Sequence, residues 1–256
     1  MNRRTWITGL AASAAGMFAA SCAKVSSAPT TLKMLHVAEK WSKTAQGAII
    51  GRHALAPEFT EADISPDFRA NGSIDPGDLD YKALLAGRFA DWRLVVDGLV
   101  ESPLSLSLAD LRALPARTQI TRHDCVEGWS SIGKWTGPRL SALLDQARLK
   151  PEAKFIVFHC LDTLDPNTTN PGMAKYYESI DLVDARHEQT ILAYDMNGQP
   201  LAVPHGAPLR LRVERQLGYK QAKYIGRIEA VASLDHIGGG AGGFWEDRGY
   251  EWYAGI

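Results

Sequence analysis

This chain has no excess of either charge: 28 Lys and Arg stand against 29 Asp and Glu, a formal net charge of −1. Nucleic-acid binding needs a basic surface that displaces condensed counterions, and this balance supplies none. No C-x-x-C-H run occurs, so the chain has no site for attaching a c-type haem. No internal repeat is present, and no stretch approaches the roughly 20 apolar residues of a spanning helix. Cysteine is scarce, at three residues, an odd number for an exported protein whose thiols would pair. What remains is an ordinary globular composition, 45% hydrophobic and 22% charged, which sets aside a fibrous or disordered chain.

The amino terminus has the pattern of a targeting segment. Arg3-Arg4 precedes Trp6-Ile7 and a weakly apolar run of Ala, Gly and Ser reaching Ala20. The arginine pair resembles a twin-arginine export signal, a route that carries folded proteins through the twin-arginine translocon to the periplasm. Cys22 follows Ala19-Ala20-Ser21, an imperfect lipoprotein box, and is a candidate lipid anchor. The chain divides into a signal and leader over 1–30, a loop-rich segment over 31–90, a core over 91–235 and a Gly/aromatic tail over 236–256.

Pattern reading predicts short helices over Leu35–Thr44, Asp80–Gly87 and from Ser107, whose side chain caps with Asp110 three residues on. Apolar residues at 140, 143, 144 and 147 form a helical stripe within Pro138–Leu149. Strands are expected at Trp92–Val100, Gln119–Arg122, Lys154–Cys160, Leu209–Val213 and Tyr224–Ala232. Ile191–Met196 and Pro200–Val203 read as a hairpin about Asn197-Gly198. The stretch to Gly137 after Cys125, and residues 161–176, read as loops. Strands outnumber helices without βαβ alternation, so the class is α+β.

Two pairs of metal-ligating residues stand out, His123 with Cys125 and His159 with Cys160. Adjacent residues on a strand point to opposite faces, so His159 and Cys160 do not meet one metal, which argues against a four-ligand zinc site. Cys125 ends a strand before a Gly-Trp-Ser turn. As residues alone it is a metal ligand, a nucleophile, half of a disulfide or a buried thiol, and the four stay open. Downstream, Arg210 and Arg212 share one strand face while Leu209, Leu211 and Val213 take the core face. Lys220 and Lys223 follow on a turn. Such cations about Gly-bearing loops suit a phosphate-bearing cofactor, or simply a solvated basic face.

Four segments occur in order: Arg122-His123-Asp124-Cys125-Val126-Glu127-Gly128-Trp129-Ser130, Trp135-Thr136-Gly137, Met196-Asn197-Gly198, and His205-Gly206-Ala207-Pro208-Leu209-Arg210. Together they resemble the molybdopterin-binding domain of the sulfite oxidase family. The nearest likeness is to its bacterial exported branch, related to the protein-methionine-sulfoxide reductase catalytic subunit. The resemblance runs over roughly residues 65 to 232. It implies a single-domain, mixed-sheet fold of sulfite oxidase type, without the family's carboxy-terminal immunoglobulin-like dimer domain. It implies a molybdenum–molybdopterin cofactor with Cys125 as the metal ligand. Cofactor contacts are implied for His205, Arg210, Lys220, Gln221, Ala222 and Lys223, for Phe68, Arg69 and Asn71 in a Phe-x-x-Asn-like segment, and for Cys160.

Where sulfite oxidases follow the ligand Cys with Gly-Asn, this chain has Val126-Glu127, and the carboxylate opposes an anionic substrate. The expectation is therefore a monomeric periplasmic molybdoenzyme performing two-electron oxo transfer on a small S-oxide or N-oxide. Glu127 and His123 join Cys125 as candidate catalytic residues, with Trp129 and Trp135 as further candidates for the pocket wall. Electrons would come from a separate membrane b-type cytochrome. The alternatives are a thiol redox enzyme using Cys125 and Cys160, or a cofactor-binding module without catalysis. The tail after Ser233, with six glycines between 238 and 249, either covers the core or meets a partner.

Overall fold

The computed structural model describes residue 51 and residues 53–256. The export signal, Cys22 and the helix expected over Leu35–Thr44 lie outside the described residues. In chain order the elements are α1 (Leu79–Ala86), β1 (Leu94–Gly98), β2 (Leu104–Leu106), α2 (Leu108–Ala113), β3 (Ala116–Asp124), β4 (Ser130–Pro138), α3 (Leu140–Ala147), β5 (Phe155–Thr163), β6 (Lys175–Asp181), α4 (Leu182–Ala185), β7 (Ile191–Ala193), β8 (Asp195–Met196), β9 (Gln199–Pro200), β10 (Arg210–Arg212) and β11 (Ile225–Val231).

Among the described residues these strands form three sheets. The largest, β2-β1-β11-β5-β6, is mixed, since β1 runs parallel to β11 while its other pairs are antiparallel. A second sheet, β3-β4-β8-β9, is antiparallel, and β10 pairs with β7 in a two-stranded ribbon. The α+β reading holds. The stripe of α3 is fully inside: Leu140, Leu143, Leu144 and Ala147 are all buried beside Ile156 and Phe158 of β5. Each such leucine contributes about 1.5–3 kcal/mol by leaving water. At the start of α2 the Ser107 hydroxyl accepts from the Asp110 N–H, and the Asp110 carboxylate accepts from the Ser107 N–H at 2.8 Å, as the spacing predicts.

Four expectations need correction. The stretch before Gly137 is not a loop: Ser130–Pro138 is strand β4, paired with β3 along its whole length. Its inward positions are Ser131, Gly133, Trp135 and Gly137, small wherever a neighbour presses close, which hides the apolar alternation. A Cβ on Gly137 would lie 2.0 Å from the Leu192 carbonyl oxygen, and one on Gly133 would lie 3.1 Å from the Phe68 ring. Strand β5 does not stop at Cys160 but runs to Thr163, placing Asp162 on the same buried face as Cys160. Ile191–Met196 is not one hairpin arm; β7 turns to β10 while β8 pairs with β4 and β9. Finally, β10 has no solvated face, because Arg210 and Arg212 are as buried as Leu209, Leu211 and Val213.

The tail folds back on the core. Phe244 is buried against Tyr176 and Tyr177, Trp252 meets Phe155, and the Leu217 N–H donates to the Ala254 carbonyl at 2.9 Å.

Candidate active site

Cys125 sits where β3 passes into its hairpin turn. Its N–H donates to the Trp129 carbonyl at 2.9 Å, and its own carbonyl accepts from the Gly128 N–H at 3.0 Å. Asp124 steadies the turn, accepting from Arg122 at 2.9 Å and from the Ser130 hydroxyl. The sulfur is nearly enclosed, the residue being 8% exposed, yet it lines a cavity of about 160 Å³. Asn71, Gly72 and Ser73 form part of that cavity, with Gln221 and Lys223 from the turn before β11 and Asp162 and Leu164 from the end of β5. Val126, Glu127, Gly218, Tyr219 and Tyr176 add further wall, and Trp245 and Tyr250 arrive from the tail.

The cations near this cavity fall into two kinds. Arg212 is compensated: its guanidinium donates to Glu214 at 3.0 and 2.5 Å, both side chains being fully buried. Its third nitrogen donates to His123 Nδ1 at 3.0 Å, so that ring nitrogen accepts and His123 is neutral. Burial, then Arg212 and Arg210, holds the ring well below the usual histidine range. Lys220 is also compensated, lying between Glu178 and Glu246 at 2.5 Å from each.

Arg210 has no such partner. One nitrogen donates to the His205 carbonyl at 3.0 Å, while Nε and Nη2, both buried, have none among the described residues. Its guanidinium stacks 4.8 Å from the Trp135 ring, and burial followed by Arg212 pushes its pKa down to about 9. Lys223 likewise meets carbonyls rather than a carboxylate: Asn71 at 2.6 Å, Pro204 at 2.9 Å, and Ser73. Burial and Arg210 push it down to about 7. Gly206 permits this crowding, since at its φ of +106 a Cβ would stand 2.9 Å from the Lys223 side chain. Arg210, buried with no ion pair and two orphaned donors among the described residues, fits an anionic group such as a cofactor phosphate, while the charge of Lys223 is opposed by the Asp162 carboxyl in the same cavity. The half-buried His205 adds an unpartnered Nδ1 nearby.

The structure brings together some expected residues and separates others. Cys125, Glu127, Asn71, Gln221 and Lys223 share the cavity. Phe68, His205 and Arg210 do not line it; the Phe68 ring is 5.2 Å from Trp135 and 5.7 Å from both His123 and His205. Arg69 is exposed, stacked 5.5 Å from the Trp129 ring, and Ala222 is buried in the core. His123, Trp129 and Trp135 do not line the cavity. His123 points inward with the buried residues of β3, Trp135 is the fully buried platform under both arginines, and the Trp129 indole donates to Glu127 at 2.8 Å. Lys220 is turned to its two carboxylates and does not line the cavity either.

Cys160 is a free buried thiol on the core face of β5, pushed well above the usual thiol range by burial. Cys125 is also free, and burial raises its thiol as well. A nucleophilic and resolving pair needs accessible, acidified thiols, so the thiol redox alternative finds no support here. On the opposite face of β5, His159 bonds Glu229 at 2.9 Å, as strand parity requires. Sequence reading missed Asp162, Tyr176, Tyr219, Trp245 and Tyr250. The first was assigned to a loop, and the tail aromatics have no local pattern that aims them at Cys125.

Comparison with known proteins agrees with this chemistry. Residues 83–235 match the family described as the oxidoreductase molybdopterin binding domain. The chain is 37% identical over 216 residues to a putative protein-methionine-sulfoxide reductase subunit YedZ1 of Azospira oryzae, covering 84% of this chain and 74% of that protein. It is 35% identical over 148 residues to the protein-methionine-sulfoxide reductase catalytic subunit MsrP of Campylobacter jejuni, and 36% identical over 160 residues to that of Xanthomonas campestris. These alignments take in 54% and 60% of this chain, and the chain spans about half the length of those two relatives, 48% and 49%. Among solved structures, the sulfane dehydrogenase SoxCD of Paracoccus pantotrophus superposes with a TM-score of 0.49 at 22% identity, covering 71% of this chain and 46% of that one. The chain belongs to the oxidoreductase molybdopterin-binding-domain family of sulfite oxidase type, and is a molybdenum-cofactor oxidoreductase.

Proposed function

We propose that this protein reduces organic S-oxides, with Cys125 as the protein ligand to molybdenum. One observation carries the reading: the Cys125 thiol lines the same cavity as Lys223, and buried Arg210 close to Lys223 keeps two donors with no partner among the described residues. The names of three relatives, each a methionine-sulfoxide reductase subunit, support the substrate class. When bound, the molybdenum cofactor supplies two-electron oxo transfer.

The chain's own residues do the rest. Arg210 would offer its two unpartnered donors to the cofactor phosphate, with His205, Asn71 and Gln221 as further polar groups that would contact the cofactor. Lys223 ties the Asn71–Ser73 segment to the Pro204 turn, donating to the carbonyls of Asn71, Ser73 and Pro204. Cys125 would hold the metal as a thiolate. Glu127 puts a carboxylate on the cavity wall, which favours a neutral substrate over sulfite. In the net reaction the S–O bond breaks, two electrons and two protons are taken up, and a thioether and water leave. The electrons come from a separate donor, for which a membrane b-type cytochrome is the proposal. Export to the periplasm by the twin-arginine route, with Cys22 as the candidate anchor, is proposed from Arg3-Arg4 and the segment after it.

Purification from cells able or unable to make molybdopterin tests this, with metal analysis and assays against sulfoxides and N-oxides using a reduced dye. Wild type from competent cells should hold about one molybdenum and reduce sulfoxides, while Cys125→Ser should lose at least a hundredfold in rate. Identical metal content and activity from both kinds of cell would refute the reading.

A further inference from the structure

Part of the wall around Cys125 lies outside the family-matched residues 83–235: Trp245 and Tyr250 come from the chain after it. We propose that this C-terminal segment builds a substrate subsite, in which Trp245 and Tyr250 receive the apolar groups flanking the sulfoxide sulfur and so select among S-oxides. This inference rests on the reduction proposed above.

The segment is built rather than draped. Trp245 and Tyr250 stack with centroids 5.3 Å apart and planes 29° from parallel, and the Tyr250 N–H donates to the Trp245 carbonyl at 3.0 Å. Tyr219, also in the cavity wall, meets Tyr250 edge-on at 5.2 Å, and its hydroxyl donates to the Glu251 carbonyl at 2.7 Å. Beneath the pair, Glu246 is clamped to Lys220, and Asp247 accepts from the Gly239 and Ala241 N–H groups at 2.7 Å each and from the Tyr177 hydroxyl. Arg248 bonds Asp165 at 2.7 Å. Four consecutive residues from 245 to 248 therefore place one aromatic wall.

What that wall accepts follows from its chemistry. Tyr250 and Val126 are 40% and 48% exposed, and both line the cavity that holds Cys125. Exposed apolar groups gathered at one opening mark a binding surface. A sulfoxide carries two carbon substituents on a sulfur bearing partial positive charge, and aromatic faces attract both. The carboxylate of Glu127 in the same wall repels an anion. The ligand chemistry is thus a neutral S-alkyl or S-aryl sulfoxide, either a free small molecule or a methionine sulfoxide side chain in a polypeptide.

Molybdenum-loaded wild type, Trp245→Ala and Tyr250→Ala are compared on dimethyl sulfoxide, methyl phenyl sulfoxide and a methionine-sulfoxide peptide. The ratio of kcat/KM for methyl phenyl sulfoxide over dimethyl sulfoxide should fall about tenfold in each variant, carried by KM. Loss that extends to the peptide assigns polypeptide substrates to the same subsite, and loss confined to the small sulfoxide assigns free ones. A second readout needs no turnover: in wild type labelled with 5-fluorotryptophan, methyl phenyl sulfone should shift the Trp245 resonance, assigned through Trp245→Phe. An unshifted resonance, or an unchanged ratio in loaded variants, overturns the subsite. Failure of the wild type itself to reduce any S-oxide overturns the functional reading instead, and the two failures are told apart in wild type alone.

Discussion

Asp162 shows what a single buried carboxyl does to this site. It is 3% exposed, its Oδ1 has no hydrogen-bond partner among the described residues, and burial raises its pKa from the usual 3.8 to about 6. A folded-state pKa above the unfolded one means the native protein binds the proton more tightly. The stability present below pH 3.8 is then lost as pH rises towards and through about 6. Asp162→Asn, in cofactor-free protein, should therefore gain about 3 kcal/mol at pH 8 and almost nothing at pH 3.5. Urea titrations at the two pH values measure the difference. Equal effects at both would mean that the carboxyl is not held protonated by its surroundings. Sequence reading could not reach this residue, because Asp-Thr-Leu-Asp-Pro after a β-run reads as turn chemistry. Cys125 was reached differently, through the ordered segments around it, since an isolated cysteine distinguishes none of its four readings.

At the scale of elements, legibility follows what each local pattern has to carry. Helix α3 and strand β5 were visible because long apolar side chains repeat at the right period and face the core. Helix α2 was visible through its cap alone. Ser107→Ala removes the acceptor for the Asp110 N–H and should cost about 1 kcal/mol, lowering Tm by roughly 2–4 °C. Calorimetry of the variant checks this, and a Tm within half a degree of wild type would show the cap to be silent. Strand β4 was invisible because its inward glycines answer to Phe68 and to the Leu192 backbone, partners about 60 residues away on either side. A residue chosen for a distant neighbour's proximity leaves no periodic trace in its own strand.

For the whole molecule, the Glu178–Lys220–Glu246 cluster joins the core to the tail. All three side chains are buried, and burial raises Glu178 well above the usual carboxylate range, with Glu246 adding to it and Lys220 opposing. Lys220→Met would leave two carboxylates facing each other in the interior, and should cost about 3–5 kcal/mol. The loss should appear equally in protein from cells lacking molybdopterin, with faster hydrogen exchange over residues 238–256. A lysine serving the cofactor would instead destabilise only the loaded protein, so the comparison separates the two roles.

The linear chain by itself determined the class, the helical stripe, the ordered motifs about Cys125 and His205-Gly206-Ala207-Pro208, and through them the family. These depend on residue types at short spacing, where side-chain chemistry and backbone period act locally. Only the tertiary structure decided which cations keep a counter-charge, that Asp162 faces the cavity, and that Trp245 and Tyr250 close it. Compensation and burial are properties of three-dimensional neighbours: Lys220 and Lys223 are three residues apart, yet one meets two carboxylates and the other only carbonyls.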